Sequence, residues 1–397
     1  MVRERLTVAP DVLAWARTTA GLSTEAAAKK LAVSEVTLGK WESGDLKPTA
    51  TQVRKAAAAY HRPFSALLLP EPPEEVAPLA DFRRLPTGDD KHWSPALRTA
   101  IRQIEAQREA LLEVQAASPE SDEPSSEFVT ADPGNEAAKV AERIRVFLSF
   151  DSVAAATWTR PYDALNAAVG AVESRGVLVV QVGGVPISEM RGFSIADWPV
   201  PVIALNGGDW PRPRLFTLLH EMAHLAYRSS GLCDLHETAG PTHRQSDALE
   251  HRCNSVAAAV LMPEQPFLRA ATTIGQRDPS WPVEALQSLA GRFGASSEAA
   301  LLRLIALGRA DWSLYSLRKP ELDSAYAEAR QVQKAKQRER DGGPDHYTVK
   351  VGRLGRSYVR TVLEAFDADN ISARDVTAFL DVRFDQLPKL RAAAGAG

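Results

Sequence analysis

Phe216-Thr-Leu-Leu-His-Glu-Met-Ala-His-Leu225 carries two histidines, His220 and His224, four positions apart around Glu221. An α-helix advances about 100° per residue, so such a pair projects from one face about 40° apart, one turn from each other. Both imidazoles can then reach one ion, and zinc takes nitrogen ligands at about 2.0–2.1 Å in tetrahedral geometry. Glu221 follows the first histidine directly, where a carboxylate can take the proton of a water activated by the ion without ligating it. Leu215, Leu218, Leu219, Met222, Leu225 and Ala226 give this helix, expected over 214–228, a broad apolar surface that shelters the histidines.

A catalytic zinc site needs a third protein ligand and leaves its fourth position to water. Five of the eight histidines (220, 224, 236, 243, 251) fall within 32 residues. Ser246 opens a second helix, which Pro263 stops. Glu250 stands on it, 26 residues beyond His224, with Cys253, Asn254, Ala257 and Leu261 at i+3, i+4, i+7 and i+11. Glu250 is the expected third ligand, with His243, His251 and Asp247 as rivals. Two imidazoles favour zinc, with manganese the poorer fit.

Outward from this centre, the runs 176–183 and 199–206 read as strands, preceded by helices near 135–149 and 161–175. Beyond Pro263 the pattern is helical at 282–293, 297–308, a basic segment 324–340, and 354–367, with 371–380 repeating the spacing. Tyr358, Val359, Val362, Leu363 and Phe366 share one face, so 354–390 is expected to pack as a small helical unit. The chain of 397 residues carries a net charge of −3, but residues 1–70 hold ten Lys/Arg against six Asp/Glu, a net of +4, leaving −7 for the rest. Contact with a polyanion is therefore expected at the N-terminal end alone. Two cysteines, 233 and 253, fit a reducing cytoplasm. No signal peptide and no membrane-spanning stretch are read.

Residues 190–263 resemble the ImmA/IrrE family of metallopeptidases. The matching runs are Met190-Arg-Gly-Phe193, Pro201-Val-Ile-Ala-Leu-Asn206, the 216–225 stretch, and Glu250-His-Arg-Cys-Asn254 leading to Ala257-Ala258 and Leu261-Met-Pro263. The resemblance implies a zincin-like fold with His220, His224 and Glu250 as metal ligands and Glu221 as general base. Cys253 stands where that family more often has a small residue, which leaves a thiol near the metal. The resemblance also implies that strand 201–206 is an edge strand able to pair with an extended substrate. Tyr227, His236 and His243 are the candidates for stabilising the oxyanion.

Residues 21–44, Gly21-Leu-Ser-Thr-Glu-Ala-Ala-Ala-Lys-Lys-Leu-Ala-Val-Ser-Glu-Val-Thr-Leu-Gly-Lys-Trp-Glu-Ser-Gly44, resemble the Cro/C1-type (XRE-like) helix-turn-helix family. The first helix of the motif is expected at 24–31 and the recognition helix at 34–42, within five short helices over 10–70. Leu31, Val36 and Leu38 are expected in its small core. Thr24, Ser34, Glu35, Thr37 and Lys40 are the candidate DNA contacts. Thr24 stands where the family often has glutamine, and Glu35, where a basic or polar residue is common, would repel phosphate.

The expected architecture is α+β and mostly helical: a helix-turn-helix domain (1–70), a linker with a connecting helix (71–130), a metallopeptidase domain with a small sheet (131–320), and a helical C-terminal region (321–397). The expected function is a DNA-binding transcriptional regulator fused to a zinc endopeptidase. It would bind duplex DNA through 10–70, with a homodimer as a further expected partner state, and cleave a repressor or other regulatory protein in a stress or mobile-element response. The competing expectations are a regulator whose peptidase-like domain senses a ligand without cutting, and a protein-interaction module.

Overall fold

The structure is a computed structural model that describes residues 5–60, 62, 64–73, 93–117, 128–132, 134–151, 161–229, 231–233, 244–275, 280–339 and 345–395. Residues 74–78 and 118–126 of the expected connections, His236, His243 and the Gly342-Gly343-Pro344 break lie outside these residues, as does the side chain of Asp247. The chain forms two compact units, 1–106 and 107–397.

The first unit is built from α1 (Pro10–Thr19), α2 (Thr24–Leu31), α3 (Glu35–Glu42), α4 (Ala50–Ala59) and a 3-10 helix (Phe64–Leu68). Each start has a local cause. Ser23 caps α2 by accepting from the Ala26 N–H, Ser34 caps α3 from the Thr37 N–H, and Thr49 with Gln52 forms a capping box on α4. The α2–α3 turn passes through Ala32 in the left-handed region, φ 57°. Leu13, Ala28, Leu31, Leu38, Trp41, Val53 and Tyr60 form the core. Val36 does not join it, and it is 68 % exposed. On α3, Leu38 and Trp41 take the inward face at i and i+3, and Val36 lies about 200° from Leu38, on the outer side. Arg17 of α1 grips Glu42 of α3 through two hydrogen bonds of 2.7 and 2.9 Å and donates a third, 3.0 Å, to the Leu22 carbonyl. The two side chains are only 14 % and 13 % exposed. The carboxylate holds the guanidinium's pKa above its ordinary value against the opposing effect of burial. Helix α5 (Pro95–Ala117) follows, and the division between the units falls inside it.

The second unit contains α6 (Ala137–Phe147), α7 (Pro161–Glu173), β1 (Leu178–Val182), β2 (Gly192–Ile195), β3 (Val202–Asn206), α8 (Pro211–Ala226), β4 (Gly231–Cys233) and α9 (Arg244–Leu261). Then come α10 (Glu264–Gly275), α11 (Val283–Gly291), α12 (Ser297–Ala306), α13 (Trp312–Glu339), α14 (His346–Leu354), α15 (Arg356–Asp367), α16 (Ala373–Leu380) and α17 (Leu387–Ala394). The sheet order is β1-β3-β2-β4, with β1 parallel to β3 and the other pairs antiparallel. Strand β3 is thus central, bonded on both sides, and offers no free edge. The expectation of a substrate pairing with 201–206 is corrected by this topology, because every ladder position of β3 is taken by β1 or β2. Ile203 and Leu205 join Leu215, Leu218, Leu219, Met222, Val256 and Val260 in the main core, which places α8 against β2 and β3 and α9 against α8 and α6.

The C-terminal helices pack on β1. Leu178 and Val182 spend their backbone groups on β3, through bonds from the Leu178 N–H to Pro201 and from the Gly207 N–H to Val182. Val179 and Gln181 therefore turn theirs to the outer edge. Gly355, between α14 and α15, sits so close to it at φ 91° that an added Cβ would lie 2.7 Å from the Val179 carbonyl oxygen. The Glu173 carboxylate accepts the Ser357 N–H at 3.3 Å. Tyr358, Val359, Val362 and Leu363 are buried and Phe366 half-buried, as their shared face predicts.

Glu42→Gln leaves Arg17 in a half-dry pocket without its counter-charge. The N-terminal domain should lose about 1.5–3 kcal/mol, read as a lower unfolding midpoint and faster amide exchange over 10–68. The pair Arg17→Met with Glu42→Leu should recover most of it. A single variant as stable as the parent would show the ion pair to be idle.

Candidate metal centre

Helix α8 begins with Pro at its first position, which needs no N–H there, and its residues 214–226 are buried almost without interruption. Such burial obliges every polar group on the helix to find a partner. His220 turns Nδ1 to Asn254 Oδ1 on α9 at 2.8 Å. His224 turns Nδ1 to Ser229 Oγ at 3.0 Å, just past the helix end. With Nδ1–H donated in each ring, the lone pairs sit on the two Nε2 atoms. These lie 3.0 Å from one another. Glu250 completes the cluster from α9, with Oε2 3.2 Å from His220 Nε2 and Oε1 3.2 Å from His224 Nε2. All three ligand atoms fall within 4.8 Å, in the one such group among the described residues.

Electron-pair donors this close repel each other unless a cation or a proton lies among them. The donor set, two neutral imidazoles and a carboxylate, is one that divalent zinc accepts, and the outer hydrogen bonds to Asn254 and Ser229 fix the tautomers that ligation requires. Burial works against the Glu250 charge, but the two histidines hold its carboxyl far below the usual carboxylate range. Among the rivals for its place, His251 is exposed.

Glu221 points into a different environment. It is fully buried, and neither carboxylate oxygen has a hydrogen-bond partner. Burial pushes its carboxyl above the ordinary range, against the pull of His224, His220 and the nearby Ser194 hydroxyl. An orphaned buried carboxylate costs free energy, so its retention beside the three donors fits a partner supplied at the site. Gly192 of β2 makes the room. A Cβ there would stand 2.5 Å from Thr217 Cγ2 and 3.1 Å from both Glu221 Oε1 and the Ala204 carbonyl. The sequence reading passed over Gly192 as a residue of the site; its signal was a glycine inside a short strand pattern, which marks close approach.

Cys253 is buried on α9 within electrostatic reach of His224, and burial pushes its thiol above the ordinary range. Tyr227 ends α8, buried, with its hydroxyl unpartnered and within electrostatic reach of Cys253.

The candidate DNA contacts divide by their engagement. Ser34 and Thr37 hydroxyls bond each other at 2.8 Å within the α3 cap. Glu35 and Lys40 are exposed, and Thr24 is half-buried at the start of α2.

Comparison with known proteins divides the chain in the same way. Residues 173–304 match the IrrE N-terminal-like domain, Peptidase_M78, and residues 11–66 match a helix-turn-helix domain. The chain therefore joins a helix-turn-helix domain to a domain of a metallopeptidase family. No curated protein matches it. No helix among the described residues is long and apolar enough to cross a membrane.

Gly192→Ala should displace Glu221 and Thr217 without touching the three donors. Stoichiometric metal uptake by the purified variant should persist, while Asn254→Ala, which frees the His220 ring, should weaken uptake about 10–100-fold. Equal metal affinity in wild type and Asn254→Ala would remove the outer hydrogen bond from the account.

Proposed function

We propose that this chain is a DNA-binding transcriptional regulator fused to a zinc-dependent endopeptidase, acting in the cytoplasm and cleaving a repressor or another regulatory protein in a stress or mobile-element response. The observation that carries the reading is the convergence of His220 Nε2, His224 Nε2 and the Glu250 carboxylate beside a buried carboxylate with no partner of its own.

His220, His224 and Glu250 are the residues that would hold zinc, and a zinc ion held there supplies Lewis acidity, which lowers the pKa of a water to about 7. The remaining work falls to the chain. Asn254 and Ser229 lock both rings in the ligating tautomer. Glu221 is the general base. Its dry surroundings raise its proton affinity, so it can take a proton from the attacking water at Oε1 or Oε2 and return it to the leaving amine. The walls of α8, β2 and β3 exclude bulk water from that carboxylate, which keeps the transfer between fixed groups.

The helix-turn-helix domain supplies the address. Its net positive charge against an acidic remainder favours phosphate contact there. Helix α3 is the element placed for the major groove, with Lys40 exposed on it.

Glu221→Gln separates a peptidase from a ligand sensor built on the same fold. The variant should keep its metal and its DNA affinity, and proteolysis of the target should fall by about 10²–10⁴-fold. Full output in cells from a variant that holds metal and binds DNA would mean that cutting is not how the protein acts. Loss of metal would mean that Glu221 is a ligand rather than a base.

A further inference from the structure

Resting on the DNA-binding reading above, we infer that Val36 and Gly39 on the outer face of α3 read the edge of a thymine in the major groove.

Two observations point there independently. The first is Val36. A valine 68 % exposed on a short helix leaves two methyl groups in water, and its branched side chain is a mediocre helix former. The neighbouring core does not claim it, since Leu38 and Trp41 fill the inner face. The second is Gly39. It lies inside α3, exposed, outside the positive-φ positions, and an added Cβ would meet nothing within 4 Å. The fold therefore gives no packing or backbone reason for a glycine, which weakens a helix relative to alanine. A close approach from outside the chain does give one.

The two residues lie three apart, on one outward stripe with Glu35 and Lys40. The Ser34 and Thr37 hydroxyls at its head are turned to each other, which leaves the methyls of Val36, with the Glu35 carboxylate beside them, as the exposed groups of the helix start. Among base edges in the major groove, thymine alone presents a methyl group, and apolar side chains recognise it. A helix without a side chain at Gly39 can sit deep enough for that contact. Glu35, beside Val36, can only accept, so it suits the amino group of cytosine and disfavours a phosphate. The inferred site is therefore pyrimidine-bearing, with thymine under Val36, and Lys40 supplies the charge that holds the helix in place.

The test uses the full chain. Duplexes are selected from a random library at moderate salt, and the selected site is then resynthesised with each thymine in turn replaced by deoxyuridine, which lacks only the methyl. One position should lose affinity about fourfold with wild type and nothing with Val36→Ala. Gly39→Ala should raise the unfolding midpoint of the N-terminal domain by about 4 °C while weakening the selected site at least about tenfold. Selection of a site with no thymine penalty, or a Gly39→Ala variant that binds it as well as wild type, would overturn the inference and leave DNA binding intact. Failure of the wild type to retain any duplex at low salt would overturn the DNA reading itself and assign this face to a protein partner.

Discussion

Two imidazoles and a carboxylate aim unshared electron pairs at one small volume, 3.0–3.2 Å apart, and much of the second domain is arranged to keep them there. The repulsion among them must be borne by packing until a cation enters. Helix α8 is buried along nearly its whole length, and α9 is pressed against it through Cys253, Val256, Ala257 and Val260. The small residues on α9 let the helix axes approach, which is what brings a side chain from Glu250 within reach of both rings. The outer partners Asn254 and Ser229 then decide which nitrogen of each ring faces inward. A site of this kind is preorganised because its three donors stand on helices locked in a core.

How far this could be read in advance depends on whether each feature is local. The spacing of His220, Glu221 and His224 is a property of one helix, and so is the face shared by Glu250, Cys253 and Asn254. Helical periodicity of 3.6 makes both legible from the chain alone. The caps at Ser23 and Ser34 likewise announce their helices. Sheet order is another matter. The run 201–206 reads as a strand, but whether it is central or at an edge is settled by β2, four residues long, and by β1 arriving in parallel. Neither partner leaves a mark on the sequence of β3 itself. Strand β4 has three residues, too few for alternation to register. Val36 illustrates the opposite hazard. Its apolar side chain invites a place in the core, but residues two apart on a helix point about 200° from each other, so Val36 cannot share the inward face of Leu38. Gly192 was hidden for a related reason, since its value lies in a side chain, Glu221, that stands 29 positions further along.

The two matched families divide the labour on physical grounds. The first unit is small, alanine-rich and positively charged, with the Arg17–Glu42 ion pair tying α1 to α3. The second keeps a small set of ionisable side chains, His220, Glu221 and His224, in a dry interior. One unit is suited to salt-sensitive contact with a polyanion, and the other to proton transfer shielded from solvent.

The outer edge of β1 has a further consequence. Leu178-Val-Val-Gln-Val182 is short, apolar and without charge, and its Val179 and Gln181 backbone groups face outward, where α14, Gly355 and α15 cover them. Those helices lie more than 160 residues later in the chain. During synthesis this strand emerges from the ribosome long before its cover, with a bare ladder edge available to any neighbour. A chain stopped short of residue 346 would carry that exposed edge permanently. The C-terminal helices are thus a built-in guard against self-association, and solubility of the peptidase domain depends on residues that have no part in its chemistry.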